Sequence, residues 1–205
     1  GTIVMDFIRQ VAPESYKIAS SVDGKIKNNI LYSEGAEFLL HEQPDILTTS
    51  QWSNWDLKEP VQKVYQTLNE RGTYFVCSAG NNGESGATKL AKTGLWKAIG
   101  ACRYNNGNVK RSSYSSIDEE VDYASFDHVK ATLDGKYYNG TSFSAPIFAG
   151  MLALVQCFFL KNIGRKLTEK ELDAFVQANC VDLGIDGNDS EFGHGLFLLP
   201  DPNKI

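Results

Sequence analysis

A chain of 205 residues, 42 % hydrophobic and 22 % charged, is large and apolar enough to bury a core without disulfide support. Its 25 acidic against 20 basic side chains leave a net charge of −5, which speaks against nucleic acid or an anionic membrane surface as the main partner. The longest apolar run, Ile147–Leu160, contains Gln156 and is shorter than the roughly 18 residues of a membrane span, and Gly1–Asp6 lacks the basic head of a signal peptide, so neither a membrane partner nor a leader is expected.

In chain order, helical spacing of apolar residues predicts helices over Ile3–Val11, Tyr32–His41 and Leu57–Glu70, the last with a stripe of Val61, Val64, Tyr65 and Leu68 and a stop at Gly72. Between and after them, short apolar runs predict strands at Tyr16–Ala19, Asp45–Thr49, Tyr74–Ser78, Trp96–Ala101 and Val121–Ser125; their continuity is that of strands buried on both faces. Strand alternating with helix means right-handed crossovers and a mostly parallel sheet. From Asn105 the pattern changes, because Asn105-Asn106-Gly107 and Asp134-Gly135 are hairpin-type turns. Ser144–Leu160 is apolar nearly all round, as in an enclosed helix, with Pro146 in its first turn, and Thr168 with Glu171 has capping-box spacing for a last helix from about Glu169. Cys77, Cys102, Cys157 and Cys180 are far apart with apolar neighbours and read as buried reduced thiols, which suits a reducing compartment. No repeat or linker divides residues 1–205, so a single domain is expected.

Two segments do more than fold. Asn139-Gly140-Thr141-Ser142-Phe143-Ser144-Ala145-Pro146 runs straight into the enclosed helix, and a serine there sits where free N–H groups and the positive dipole end favour a developing anion. The alternative is that Ser142 or Ser144 only caps the helix. Tyr74–Ser78 leads through Ala79-Gly80 into Asn81-Asn82-Gly83, amides beyond the carboxyl end of a buried strand, where ligands bind in parallel sheets; an ordinary turn is the alternative. The Asn139-Gly140-Thr141 glycosylation pattern is absorbed by the first segment. Asp186-Gly187-Asn188-Asp189-Ser190 begins like a calcium loop but has Glu191 in place of the required glycine and Phe197 in place of the bidentate glutamate.

Together and in this order, the two segments resemble the subtilases, the subtilisin-like serine peptidases. Gly140-Thr141-Ser142-Phe143-Ser144-Ala145-Pro146 is similar to the family's nucleophile motif G-T-S-x-S-x-P. Asp45–Ser50 resembles its substrate-binding strand, Trp96–Ala101 the strand V-x-x-V-G-A, Arg111–Ser116 the stretch after it, and Phe192–Leu196 the closing G-x-G-L. The resemblance covers essentially the whole chain. It implies an α/β, three-layer fold with a mostly parallel sheet flanked by helices, lacking the family's N-terminal strands. It further implies peptide-bond hydrolysis through an acyl-enzyme on Ser142 with Asn81 as oxyanion donor, and Ser50, Gln51, Trp52, Gly80 and Asn82 along the substrate cleft. Trp52 stands where the family often has a small residue, either narrowing the cleft or covering the core. No cofactor is implied, and a structural calcium is left open.

The family orders its triad Asp, His, Ser, with the histidine as H-G-T opening a helix that leads to a V-A-P turn. Here Gly1–Val4 runs through a helix into Val11-Ala12-Pro13, so the sequence resembles the part of the domain that begins just after that histidine. None of His41, His128 and His194 holds the base position, and Asp127-His128 falls on what the resemblance makes a surface connection. The expectation is a domain inactive in isolation, with a protein or peptide substrate, the N-terminal segment and a second copy of itself as partners. The alternative is a non-catalytic module that binds an extended peptide by strand addition.

Overall fold

The computed structural model describes residues 1–20, 29–51 and 59–204. Its strand Tyr74–Ser78 (β2) is buried at every residue, and the side chains alternate between two cores. Tyr74 and Val76 point to the side of α4 (Thr141–Ile163) and α5 (Glu169–Ala178), where they meet Phe148, Leu152, Leu172 and Val176. Phe75 and Cys77 point the other way, onto Leu39 of α2 (Asn29–Glu42) and Val64, Tyr65 and Leu68 of α3 (Glu59–Glu70), with Trp96 edge-on to Phe75 at 4.9 Å. Helix, sheet, helix: the fold is a three-layer α/β sandwich. Among the described residues the sheet runs β1-β2-β3-β5-β9-β8, where β1 is Ile46–Thr49, β3 Lys97–Asn105, β5 Val121–Phe126, β8 Cys180–Val181 and β9 Leu196–Phe197. From β1 to β9 all pairings are parallel; β8 and the hairpin strand β4 (Asn108–Arg111) are antiparallel. The β3–β4 turn puts Asn106 and Gly107 at φ 48° and 88°, the paired left-handed residues that an Asn-Gly hairpin requires. A second hairpin, Val129–Lys130 (β6) with Tyr137–Tyr138 (β7), turns at Asp134-Gly135 as expected.

Three sequence expectations change. Tyr16–Ala19 forms no strand: the segment lies beside β1 without a ladder to join, Tyr16 is exposed, and Lys17 bonds back to the Pro13 and Ser15 carbonyls. The enclosed helix is longer than its apolar run, 23 residues, and by length and composition alone it is apolar enough to cross a membrane; half of its most apolar stretch is buried here against the sheet. All four thiols are free, but Cys157 is exposed and Cys180 half-buried, with only Cys77 and Cys102 in the core.

Helix α1 (Thr2–Val11) lies against α4, close enough that a methyl group on Gly150 would stand 2.9 Å from the Val11 Cβ. Its Asp6 is buried and reaches the second hairpin, accepting from the Thr132 N–H at 2.7 Å, the Thr132 hydroxyl, and Gln10 at 3.0 Å. Burial pushes the Asp6 carboxyl up, but these donors outweigh it and hold the group below its ordinary value. At the amino ends of the strands, Asp173 of α5 accepts from Tyr74 at 2.7 Å and Tyr123 at 2.6 Å, pinning α5 to the sheet.

Candidate active site

The carboxyl ends of β1 and β2 open into a cleft of about 180 Å³ lined by Ser50, Ser78, Gly80, Asn81, Asn82, Thr141 and Ser142. Three chain segments distant in sequence converge there, because parallel strands end on one side of the sheet and α4 starts on that same side. Gly140, the residue before α4, has φ 129° and ψ 153°, a conformation open to glycine, and no side chain caps the helix. The capping alternative for the two serines therefore falls. Ser144 is fully buried, whereas Ser142 is partly exposed on the cleft, its hydroxyl 3.4 Å from the Ser50 carbonyl.

Asn81 is held in a single orientation. Its Oδ1 accepts from the Thr141 N–H and the Thr141 hydroxyl, both at 3.0 Å. A backbone N–H can only donate, so the carboxamide oxygen must face Thr141 and the Nδ2 hydrogens form the donor end. Thr141 Oγ1 in turn accepts from the Gly80 N–H at 3.2 Å, which ties the β2 exit to the head of α4. An amide donor, the Ser142 hydroxyl and the positive end of a 23-residue helix thus share one small cleft. That arrangement can stabilise an oxyanion formed at a carbonyl attacked by the hydroxyl.

Pro146 is not in the first turn, as the sequence suggested, but is the sixth residue of α4. Having no N–H, it leaves the carbonyl of Ser142, four residues back, without a helical donor. The Ser50 hydroxyl fills the gap at 2.7 Å. Of the other residues implied for the cleft, Gly80 and Asn82 line it, Gln51 follows Ser50 with its N–H on the Thr49 hydroxyl, and Trp52 lies outside the described residues. The three histidines lie apart from the cleft lining: His41 on α2, His128 stacked on Tyr137 and bonded to Asn139, His194 against Tyr123. Sequence reasoning missed Thr141 as the clamp on Asn81, although it sits inside the motif. It also placed Asp127 on a surface connection. Asp127 is buried, and its Oδ2 accepts from the Gly140 N–H at 3.1 Å. In the Asp186–Ser190 turn the Asp189 carboxylate is taken up by flanking backbone donors, accepting from the Ile185, Glu191 and Phe192 N–H groups.

Residues 2–195 match the profile of Peptidase_S8, the subtilase family. Among curated proteins, the major intracellular serine protease of Bacillus subtilis is 27 % identical over 97 % of this chain and 64 % of its own length. Subtilisin NAT of Bacillus subtilis subsp. natto is 32 % identical over 59 % of this chain and 33 % of its own. The chain thus spans less than two thirds of these relatives. Among solved structures, a lanthipeptide protease superposes with a TM-score of 0.79 at 18 % identity, covering 96 % of this chain and 73 % of that one. Sphericase superposes with a TM-score of 0.66 at 19 % identity over 83 % of this chain and 62 % of its own. Both likenesses concern the fold, including the mostly parallel sheet between helical layers.

Proposed function

The chain belongs to the subtilase family, and on that premise we propose that it forms the nucleophile-bearing part of a serine endopeptidase. Ser142 Oγ attacks the scissile carbonyl of an extended peptide lying between the Ser50–Gln51 and Gly80–Asn82 walls. The oxyanion of the tetrahedral intermediate receives hydrogen bonds from Asn81 Nδ2 and the Ser142 N–H, and collapse releases the amine and leaves an acyl-enzyme that water hydrolyses. A neutral serine is a poor nucleophile until a base takes its proton. Because no histidine lines the cleft among the described residues, we assign the base and its orienting acid to polypeptide outside these 205 residues.

The observation that carries this reading is the fixed Asn81 carboxamide, whose oxygen is bound by the residue next to Ser142. The test is a chromogenic peptide assay on the 205-residue chain alone, then on a longer gene product or with an added upstream polypeptide. Slow or undetectable turnover by the chain, restored in the longer form and abolished by Ser142→Ala, is expected. Full protease rates from the chain alone would mean that it contains its own base. An inactive longer form that carries the histidine and acid would transfer the cleft to the peptide-binding alternative.

A further inference from the structure

The turn that carries Ser142 is anchored by a buried charge for which the reaction above has no use. Gly140 has no side chain to hold it, and its φ of 129° is not enforced by a helix or a ladder. What fixes it is its N–H, which donates to Asp127 Oδ2 at 3.1 Å. Asp127 follows the end of β5, its own N–H is bonded to the Cys102 carbonyl of β3 at 3.0 Å, and its side chain is 0 % exposed, so the sheet sets the position of the carboxylate.

Every partner around that carboxylate is a donor. Ser112 Oγ gives its proton to Oδ1 at 2.9 Å, and Arg103 Nη2 reaches Oδ2 at 3.2 Å. Arg103 is itself immobilised, bonded to Ser112 Oγ at 3.1 Å and the Tyr114 hydroxyl at 2.7 Å, with its guanidinium over the Tyr114 ring. An ionised carboxylate accepts from Gly140, Ser112 and Arg103 together and balances the guanidinium; an amide carries no charge for Arg103, and its N–H₂ group forces the Ser112 hydroxyl to reverse, so the bond to Gly140 loses its charge assistance. Two successive N–H groups of the turn are thereby claimed by fixed acceptors, Gly140 by Asp127 and Thr141 by Asn81, and the next residue is the cleft serine.

We propose that Asp127, with Arg103 as its counter-ion, is the positioning residue of this turn, holding Gly140 so that the Ser142 hydroxyl and the Asn81 amide address one oxygen. It acts through Gly140 and never touches substrate, and the proposal rests on the reading of Ser142 as nucleophile.

The test has two arms. On the 205-residue chain, NMR hydrogen exchange is compared between wild type and Asp127→Asn at the Gly140 and Thr141 amides, with the Val76 and Leu152 amides as core references. Gly140 exchange is expected to rise at least about tenfold while the core amides stay put, as for a lost charge-assisted bond. Should Asp127→Asn not fold, Arg103→Lys is read instead; it keeps the charge, loses the fork and gives a smaller rise of the same sign. On the longer, active gene product, Asp127→Asn is expected to lower kcat by about 10²-fold with KM little changed, as for a roughly 1 Å displacement of the nucleophile. Unchanged Gly140 exchange in a folded variant overturns the proposal whatever the activity, and so does an unchanged kcat. An inactive wild-type product, or one indifferent to Ser142→Ala, overturns the peptidase reading instead, and the exchange arm still decides whether Asp127 orders the turn.

Discussion

The Ser50 hydroxyl donates to the backbone carbonyl of Ser142 at 2.7 Å, across the cleft and 92 residues away in sequence. The bond exists because Pro146 has no N–H to offer that carbonyl. Removing the hydroxyl in Ser50→Ala leaves a partly buried acceptor unsatisfied, for which about 1–2 kcal/mol of stability is expected to be lost in urea or thermal unfolding. Pro146→Ala supplies the missing N–H, so in a double-mutant cycle Ser50→Ala should cost less in its presence, with a coupling above about 0.5 kcal/mol. Additive losses would mean that the two residues do not share the carbonyl.

Asn81→Leu keeps the side-chain volume and removes the donor. Where the proposed peptidase activity is measured, kcat is expected to fall by roughly 10²–10³, the range known for a lost oxyanion donor in subtilisin, with KM little changed. Thr141→Val removes one of the two bonds on Asn81 Oδ1 and leaves the backbone one. Its loss in kcat should therefore be smaller and in the same direction.

Acid should loosen α1 before the sheet. The Asp6 carboxyl is held below its ordinary value of 3.8 because its Thr132 and Gln10 donors outweigh its burial. A group depressed in the folded state contributes stability that is full above its unfolded value and lost as pH falls through the folded one. Wild-type stability is thus expected to decline below about pH 4 with a component absent from Asp6→Asn. Parallel acid titrations of the two proteins, followed by unfolding free energy, check the sign; identical slopes would exclude Asp6 as the source.

Strand β1 ends the sheet with one edge unpaired among the described residues, beside a groove of about 480 Å³ walled by Met5 and Ile8 of α1 and Ala153 and Leu160 of α4. An edge strand next to apolar surface is a template for another chain. Concentration-dependent self-association is expected in sedimentation or light scattering, and Thr48→Lys, which puts a charge into the groove, should suppress it. A monomer at every concentration would show that the edge is covered.

Thiol reactivity should follow exposure. A maleimide is expected to modify Cys157 first, whereas Cys102, pushed up to about 12 by burial and the nearby Asp127 carboxylate, and Cys77, raised by burial, should react only after unfolding. Mass spectrometry of the labelled peptides gives the order directly.

Sequence periodicity located the sheet-and-helix alternation because β2 and β3 are apolar on both faces and α4 nearly all round, patterns that only a buried layer produces. It failed at Tyr16–Ala19 because a strand is defined by its neighbour, and composition carries no information about who pairs with whom. The head of α4 was legible through a motif, yet the motif said nothing of how the turn is held. Asp127 and Arg103 are 24 residues apart and lie in different strands or their ends, so their meeting exists only in three dimensions. Thr141 was in plain view, but a threonine between a glycine and a serine has no signature of a clamp.

Gly150 has a consequence for alignment. With hydrogen where every other residue has carbon, α1 and α4 cross with Val11 seated directly on the α4 backbone, and Phe7 meets Phe143, the neighbour of Ser142, at 5.3 Å. A helix of ten residues is a rigid arm of about 15 Å, pivoted at Val11 and steadied at Phe7. A tilt at the pivot is magnified along the arm, so one methyl group at Gly150 would move the Thr2 end of α1 more than its Val11 end. The aim of the whole arm is thus decided by the absence of a single carbon from α4.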